Sequence, residues 1–219
     1  MTSARFLLVA AVTLCETAHA QSENATPEAA ITAFFHAIER GDGRAAVALV
    51  APEDVPEFRR RELAMITYFF DNRDHLRRMF SDSGGGGMAV GGLSGTSAEF
   101  DSVAVAKYAE MPLPVYGVRT VKEFAALAPG ELLGRVLTEY ARDDAPGRVV
   151  GSVIEQDSVG HVLVRRHDPT VDAADLWFVQ VARTIRRHGR WYVRLGYVFG
   201  GSRVMSVLFE TLTAELHKQ

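Results

Sequence analysis

The spacing of apolar residues near the N-terminus predicts two consecutive helices within residues 26–53. Apolar side chains recur there at intervals of three and four residues, which places them on one helical face. They are Ile31, Phe34, Phe35 and Ile38. Thr26 is expected to cap the first helix, and Gly41 to end it in the left-handed conformation. Asp42 is expected to cap a short second helix that Pro52 ends.

The pattern then predicts a long third helix, a loop and a strand. Asp54 and Glu57 have the spacing of a capping box, and helical periodicity continues from there to about Phe80. Residues 81–97 are rich in glycine and are predicted to form a flexible loop. They contain no lysine, so they lack the motif of a phosphate-binding loop. Residues 98–111 alternate apolar and polar positions, which predicts a strand.

The second half of the chain begins with a predicted helical insertion, after which the spacing of its apolar residues changes. Thr120 is expected to open helical segments that extend to residue 142. The apolar period then falls to two, which predicts strands joined by short turns at 157–160 and 188–189. Leu176–Arg187 and Trp191–Phe199 form the last predicted hairpin, and such a meander is antiparallel. A final amphipathic helix is predicted over residues 202–217. Its apolar positions are Val204, Leu208, Leu212 and Leu216.

The first 20 residues have the features of a secretory signal peptide. A basic start, an apolar run over residues 6–14 and an A-x-A ending predict cleavage after Ala20 and a secreted or periplasmic protein. The run is too short for a transmembrane helix, which needs about 20 residues. The alternative is a lipoprotein signal at Cys15, which is disfavoured because Leu14 stands where such signals require a small residue. Residues 21–219 are then expected to form one domain.

Composition excludes several classes of protein. The net charge of -3 argues against a general nucleic-acid-binding protein. The single cysteine, Cys15, lies in the signal, so the mature chain is expected to have neither a disulfide nor thiol chemistry. His161 and His167 share a strand face, but six residues of strand place them about 20 Å apart. Metal-protease, zinc-ribbon and hydrolase motifs are absent from the sequence, and we predict no metal and no cofactor.

The opening PEAAITAFFHAIERGDGRAAVALVAPE and the closing WFVQVARTIRRHGRWYVRLGYVF resemble the nuclear transport factor two-like (SnoaL-like, cystatin-like) superfamily. The resemblance implies an α+β cone, in which N-terminal helices pack on a strongly curved antiparallel sheet that surrounds the long third helix. It also implies a pocket at the open end. The helical insertion and the C-terminal helix depart from the minimal plan of that superfamily. Residues predicted to line the pocket are Phe35, Ile66, Tyr68, Phe70, Asp101, Tyr108, Trp177 and Trp191.

Three functions are compatible with these features of the sequence. Enzymes of that superfamily place an acid, a base or a tyrosine inside the cone, whereas the first helix here directs Phe34, Phe35 and Ile38 inward. We therefore predict a module that binds a small apolar ligand or a partner. The alternatives are an isomerase or hydro-lyase with Asp101 or Glu99 as its base, and a homodimer formed through the last helix.

The sequence also contains a cluster of cationic residues. Arginines crowd the last strands and are predicted to form an anion-binding patch at one end of the sheet. Its members are Arg165, Arg183, Arg187 and Arg194. The competing interpretation is a solvated face whose arginines have acidic neighbours.

Overall fold

The structure is a computed structural model that describes residues 24–82, 102–143, 147–167, 177–196 and 203–216. Its class is α+β with an antiparallel sheet, as the sequence predicts. The helices are α1 (Pro27–Glu39), α2 (Gly43–Ala48), α3 (Asp54–Asp71), α4 (Arg73–Asp82), α5 (Ser102–Lys107), α6 (Val121–Ala126), α7 (Pro129–Asp143) and α8 (Arg203–Leu216). The strands are β1 (Arg148–Glu155), β2 (Val159–His167), β3 (Trp177–Arg187) and β4 (Arg190–Val193).

The described residues divide into two compact units. Residues 24–55 and 133–196 form the first, which contains the whole sheet, and residues 56–132 and 203–216 form the second. The single domain over residues 21–219 stays a prediction. The predicted signal peptide and most of the predicted glycine-rich loop lie outside the described residues.

The predicted caps at the start of the fold are confirmed, although α2 ends at Ala48 and not at Pro52 as predicted. The Thr26 hydroxyl accepts a hydrogen bond from the Ala29 N–H at 3.1 Å and caps α1. Gly41 follows with a φ of +67°, a left-handed conformation that glycine adopts without steric cost. The Asp42 carboxylate accepts from the Ala45 N–H at 2.9 Å and caps α2. Both capping bonds satisfy helix N–H groups that have no partner within the helix.

The sheet has the strand order β1-β2-β3-β4, and neighbouring strands are antiparallel. The predicted turn at His188 and Gly189 is present, and both residues have positive φ. β4 ends at Val193, earlier than the predicted Phe199. The Leu195 N–H donates to the Asp54 carboxylate at 2.8 Å instead of extending the strand. The capping box of Asp54 and Glu57 stays a prediction.

Helix α1 lies directly on one face of the sheet and contacts all four strands. We call this the inner face and the opposite one the outer face. Buried residues of the inner face include Val162, Val164, Ala182, Thr184 and Val193. A side chain at Gly160 would stand only 2.8 Å from Pro27 Cβ, so glycine is what permits α1 to cross β2 at this point. The Ser152 hydroxyl of β1 donates to the Glu28 carboxylate of α1.

One prediction for the central part of the chain holds and one is wrong. The helical periodicity predicted to about Phe80 is matched by α3 and α4, which are separated only by Asn72. The Asn72 N–H still donates to the Tyr68 carbonyl at 3.0 Å, and its side-chain amide donates to the same carbonyl at 2.8 Å. The strand predicted over residues 98–111 is the helix α5 from Ser102 to Lys107, and residues 98–101 lie outside the described part. Alternation over so few residues does not separate a strand from a short helix.

In the second unit, α8 packs against α4, and α5 packs against α6. The Thr120 hydroxyl caps α6 as predicted, accepting from the Glu123 N–H at 3.2 Å. The apolar face of α8 is buried, with Val204, Leu208 and Leu212 at most 2% exposed. The last helix therefore contributes this face to the interior of its own chain.

The close approach of α2 to α7 generates a stability prediction. A Cβ added at Gly43 would lie 2.0 Å from the Gly134 carbonyl oxygen, whereas a Cβ at Gly134 would meet nothing closer than 3.5 Å. We expect Gly43→Ala to lower the free energy of unfolding by about 1–3 kcal/mol through overpacking. Gly134→Ala should raise it by about 0.5–1 kcal/mol, because alanine favours the helix.

Urea unfolding of a chain that spans residues 21–219 measures both effects. Gly151→Ala is the control, because a Cβ at Gly151 would have no atom within 4 Å. Equal unfolding midpoints for the Gly43 and Gly151 variants would contradict the packing of α2 on α7.

The bond between Glu28 and Ser152 generates a pH prediction. This hydrogen bond lowers the pKa of Glu28 from its ordinary value of 4.5. A lowered pKa means that the ionised carboxylate stabilises the fold above pH 4.5, and that this contribution is lost as the pH falls through the lowered value. Glu28→Gln should therefore be less stable than wild type at pH 7, by less than about 1 kcal/mol because solvent screens this partly exposed pair. The difference should disappear in acid.

Urea midpoints measured from pH 7 down to pH 3 test this dependence. Ser152→Ala removes the same hydrogen bond from its other side and should flatten the acid dependence in the same way. If both variants kept the wild-type dependence on pH, the assigned bond would be wrong.

Candidate functional site

Strand register places an apolar set of side chains on the outer face of the sheet. Leu163 of β2 pairs with Val181 of β3, and Arg165 pairs with Val179. Adjacent side chains of a strand point to opposite faces. Because Val162 and Ala182 are buried beneath α1, their neighbours Leu163 and Val181 lie on the outer face.

These outer-face side chains are unusually exposed for their type. The exposed fractions are 65% for Val153, 63% for Val179, 52% for Val181 and 39% for Leu163. We call these four residues the outer apolar patch. Exposed apolar residues are ordinary when scattered singly, but a contiguous set on one face is typical of a binding surface.

Cationic side chains lie beside this patch. Arg165 and Arg183 occupy outer-face positions on β2 and β3, each two residues from Leu163 or Val181 along its strand, about 7 Å away. Arg148 of β1 lies opposite Arg165. The outer face therefore combines apolar contact area with positive charge.

The predicted patch of four arginines divides into two pairs. Arg165 and Arg183 share the outer face of the sheet. Arg187 and Arg194 each lie beside an acidic side chain. Arg187 lies 3.4 Å from Glu53, and Arg194 lies 2.8 Å from Asp54. For Arg187 and Arg194, the competing interpretation of arginines with acidic neighbours is the one observed.

Arg166 lies on the inner face and is 5% exposed, in contrast to its neighbour Arg165. Its guanidinium donates to the Tyr140 hydroxyl at 2.6 Å and to the Gln180 side-chain oxygen at 3.3 Å. It therefore joins α7 to the sheet. This role is structural, because the bonds hold two elements of the same unit together.

The predicted pocket residues occupy both units. Phe35 and Trp191 belong to the first unit and are buried. Ile66, Tyr68, Phe70 and Tyr108 belong to the second, where Ile66 is buried and the other three are partly exposed. Trp177 begins β3, and its side chain is outside the described part, as are Asp101 and Glu99. A common pocket for these residues stays a prediction.

One cluster of titratable side chains lies at the surface of the second unit. The Asp71 carboxylate accepts hydrogen bonds from the Tyr108 hydroxyl and from Lys107 Nζ, the latter at 2.9 Å. Phe70 stacks on Tyr108 with ring centroids 5.0 Å apart. Sequence analysis singled out Tyr108 but missed Asp71 and Lys107, because their proximity depends on how α3 and α5 meet.

The charges in this cluster stabilise each other. Hydrogen bonds from Tyr108 and Lys107 lower the pKa of Asp71. Hydrogen bonding with Tyr108 and then with Asp71 raises the pKa of Lys107. A catalytic carboxylate base needs a raised pKa and a catalytic lysine a lowered one. Both shifts therefore favour a stable surface ion pair over an acid–base pair.

Other functional signals are few in the part of the chain that the structure describes. Among those residues, no group of three or more histidine, cysteine or acidic side chains could hold a metal ion. No described helix is long and apolar enough to cross a membrane. Comparisons with family models, curated proteins and solved structures found no match to this chain.

The cluster generates a prediction about ionisation. Tyr108→Phe removes the largest cause of the shift, so the pKa of Asp71 should rise towards its ordinary value of 3.8. Titration followed by carboxyl ¹³C NMR measures it. Phe70→Leu leaves the Tyr108 hydroxyl in place, so the pKa of Asp71 should stay lowered in this control. An unchanged Asp71 pKa in Tyr108→Phe would refute the assigned hydrogen bond.

Proposed function

We propose that the mature chain is an exported binding module that holds a small anionic amphiphile on the outer face of its sheet. The observation that carries this proposal is the strand register. It brings the outer apolar patch together with Arg165 and Arg183 on one exposed surface. The ligand class is a molecule with an apolar body and one acidic group.

The chemistry of the face supports this ligand class. An acyl chain lying across Leu163 and Val181 would remove apolar surface of both molecules from water, which is favourable in proportion to the area buried. Its acidic group would then lie within about 7 Å of Arg165 or Arg183, because each arginine is two residues along the strand from that pair. A guanidinium binds a carboxylate through two parallel hydrogen bonds.

Export and the cone architecture are parts of this proposal. The basic start, apolar run and A-x-A ending of residues 1–20 support export. The packing of α1 on an antiparallel sheet is compatible with the fold of the nuclear transport factor two-like superfamily. A pocket at the open end of such a cone is the other location for an apolar ligand. Variants of the outer face distinguish the two locations.

Isothermal titration of the mature chain with dodecanoate below its micelle concentration tests the proposal. Val179→Thr combined with Val181→Thr keeps side-chain shape and strand preference but adds hydroxyls to the patch. We expect this double variant to weaken binding about tenfold, through a loss of about 1.4 kcal/mol. Arg183→Gln should weaken it by a similar factor.

Ile154→Thr provides a matched control, because Ile154 is 50% exposed but lies at an inner-face position of β1. It should bind dodecanoate as wild type does. If the control and the outer-face variants bound dodecanoate with equal affinity, the ligand would not bind on the outer face. The predicted pocket at the open end of the cone would then be the favoured location. Binding to phosphatidylglycerol vesicles without binding to free dodecanoate would contradict the proposed ligand class.

A further inference from the structure

Strand β1 is an edge of the sheet that the described residues form. It pairs with β2, and no described backbone group bonds to its other side. Its apolar residues Val150, Val153 and Ile154 are 57%, 65% and 50% exposed. Ile154 and Val153 belong to opposite faces, so the edge exposes apolar surface on both sides. A long apolar edge of this kind is a template for pairing with another strand.

At the opposite side of the sheet, β4 pairs with Thr184–Arg187 of β3 and is itself covered. Val193 of β4 exchanges backbone hydrogen bonds with the segment before α3, donating to Leu49 at 2.8 Å and accepting from Ala51 at 2.9 Å. The Asp54 carboxylate then binds the Arg194 side chain at the same edge. An additional strand can therefore be accepted at β1 but not at β4.

A β-bulge gives β1 an internal symmetry. Val149 and Gly151 pair with consecutive residues of β2, so Val150 is an extra residue. The eight residues of β1 thus occupy seven pairing positions, and Ser152 is the central one. Val149 and Ile154 are each two pairing positions from Ser152, and both lie on the inner face. Arg148 and Glu155 are each three pairing positions from Ser152, and both lie on the outer face.

We propose that β1 pairs antiparallel with β1 of a second copy about a two-fold axis at Ser152. This register places Arg148 opposite Glu155 of the other copy on the outer face. It places Val149 opposite Ile154 on the inner face. Every pair consists of residues from the same face, as a closed two-fold pairing requires. Without the bulge, Arg148 and Glu155 would point to opposite faces and could not meet in this way.

Charge favours a second copy as the occupant. Arg148 lies opposite Arg165 within the sheet, and like charges in that position are destabilising. Glu155 of the second copy would lie beside Arg148 and compensate this repulsion. Glu155 is exposed, and it already lies 3.2 Å from His161 through one carboxylate oxygen. The symmetry repeats the opposite-charge pair at both ends of the strand.

One interaction opposes association. The Glu28 carboxylate accepts from Ser152, so the axis brings the Glu28 side chains of both copies towards each other. Two opposite-charge pairs at the strand ends act against this single like-charge pair at the centre. The interface is also small, which places the complex among weak associations and requires a series of protein concentrations.

Charge reversal tests the register directly. Arg148→Glu places two carboxylates opposite each other, and Glu155→Arg places two guanidinium groups opposite each other. In sedimentation velocity, wild type should dimerise and each single variant should dissociate at least about tenfold more readily. An equimolar mixture of the two variants should form a heterodimer, because each copy then supplies the charge that the other needs. The double variant Arg148→Glu, Glu155→Arg should dimerise as wild type does.

Two further variants control for the surface involved. Ile154→Thr should weaken the dimer, whereas Val181→Thr, on β3, should leave it intact. Circular dichroism establishes that each variant is folded. A monomeric wild type at every accessible concentration would overturn the proposal. Single charge variants that dimerise like wild type would also overturn it, because the interface would then lie away from β1.

Discussion

The packing of α1 on the sheet determines which surfaces remain for binding. Helix α1 crosses β2 at Gly160, where any side chain would collide with Pro27, and the Ser152–Glu28 hydrogen bond holds its first turn beside β1. This contact assigns one set of alternating strand residues to the core. Since strand residues alternate strictly, the other set is necessarily turned away from α1. The apolar members of that second set form the outer patch.

The proposed binding face and the proposed dimer edge are geometrically linked. A two-fold axis that pairs β1 with its copy is perpendicular to the sheet, so both outer faces would point in the same direction. The two sheets would form one surface of eight strands with an apolar patch from each copy. Arg148 would be neutralised by Glu155 of the other copy, while Arg165 and Arg183 would retain their positions beside the patches.

Much of the fold follows from local signals in the sequence, because caps, turns and periodicity act over a few residues. Thr26, Gly41 and Asp42 were predictable for that reason. The helix at Ser102–Lys107 was not, since six residues carry too little periodicity to separate helix from strand. The run Val162-Leu163-Val164 did contain a signal for the outer patch, because uninterrupted apolar residues imply that both faces of a strand are apolar. The Asp71–Lys107 contact joins residues 36 positions apart and has no local signal.

The identity of the pairing edges determines how far association can proceed. Pairing between two different edges would add copies without limit and form fibres, whereas pairing of one edge with the same edge of a second copy closes after a single event. Here the segment Leu49–Ala51 occupies the edge of β4, and Asp54 fixes the chain there by binding Arg194 and the Leu195 N–H. These contacts cover β4, which itself pairs only with Thr184–Arg187 of β3. Closure of the dimer follows instead from the symmetry of the proposed pairing, because each copy contributes the same edge and β1 is then used in both copies.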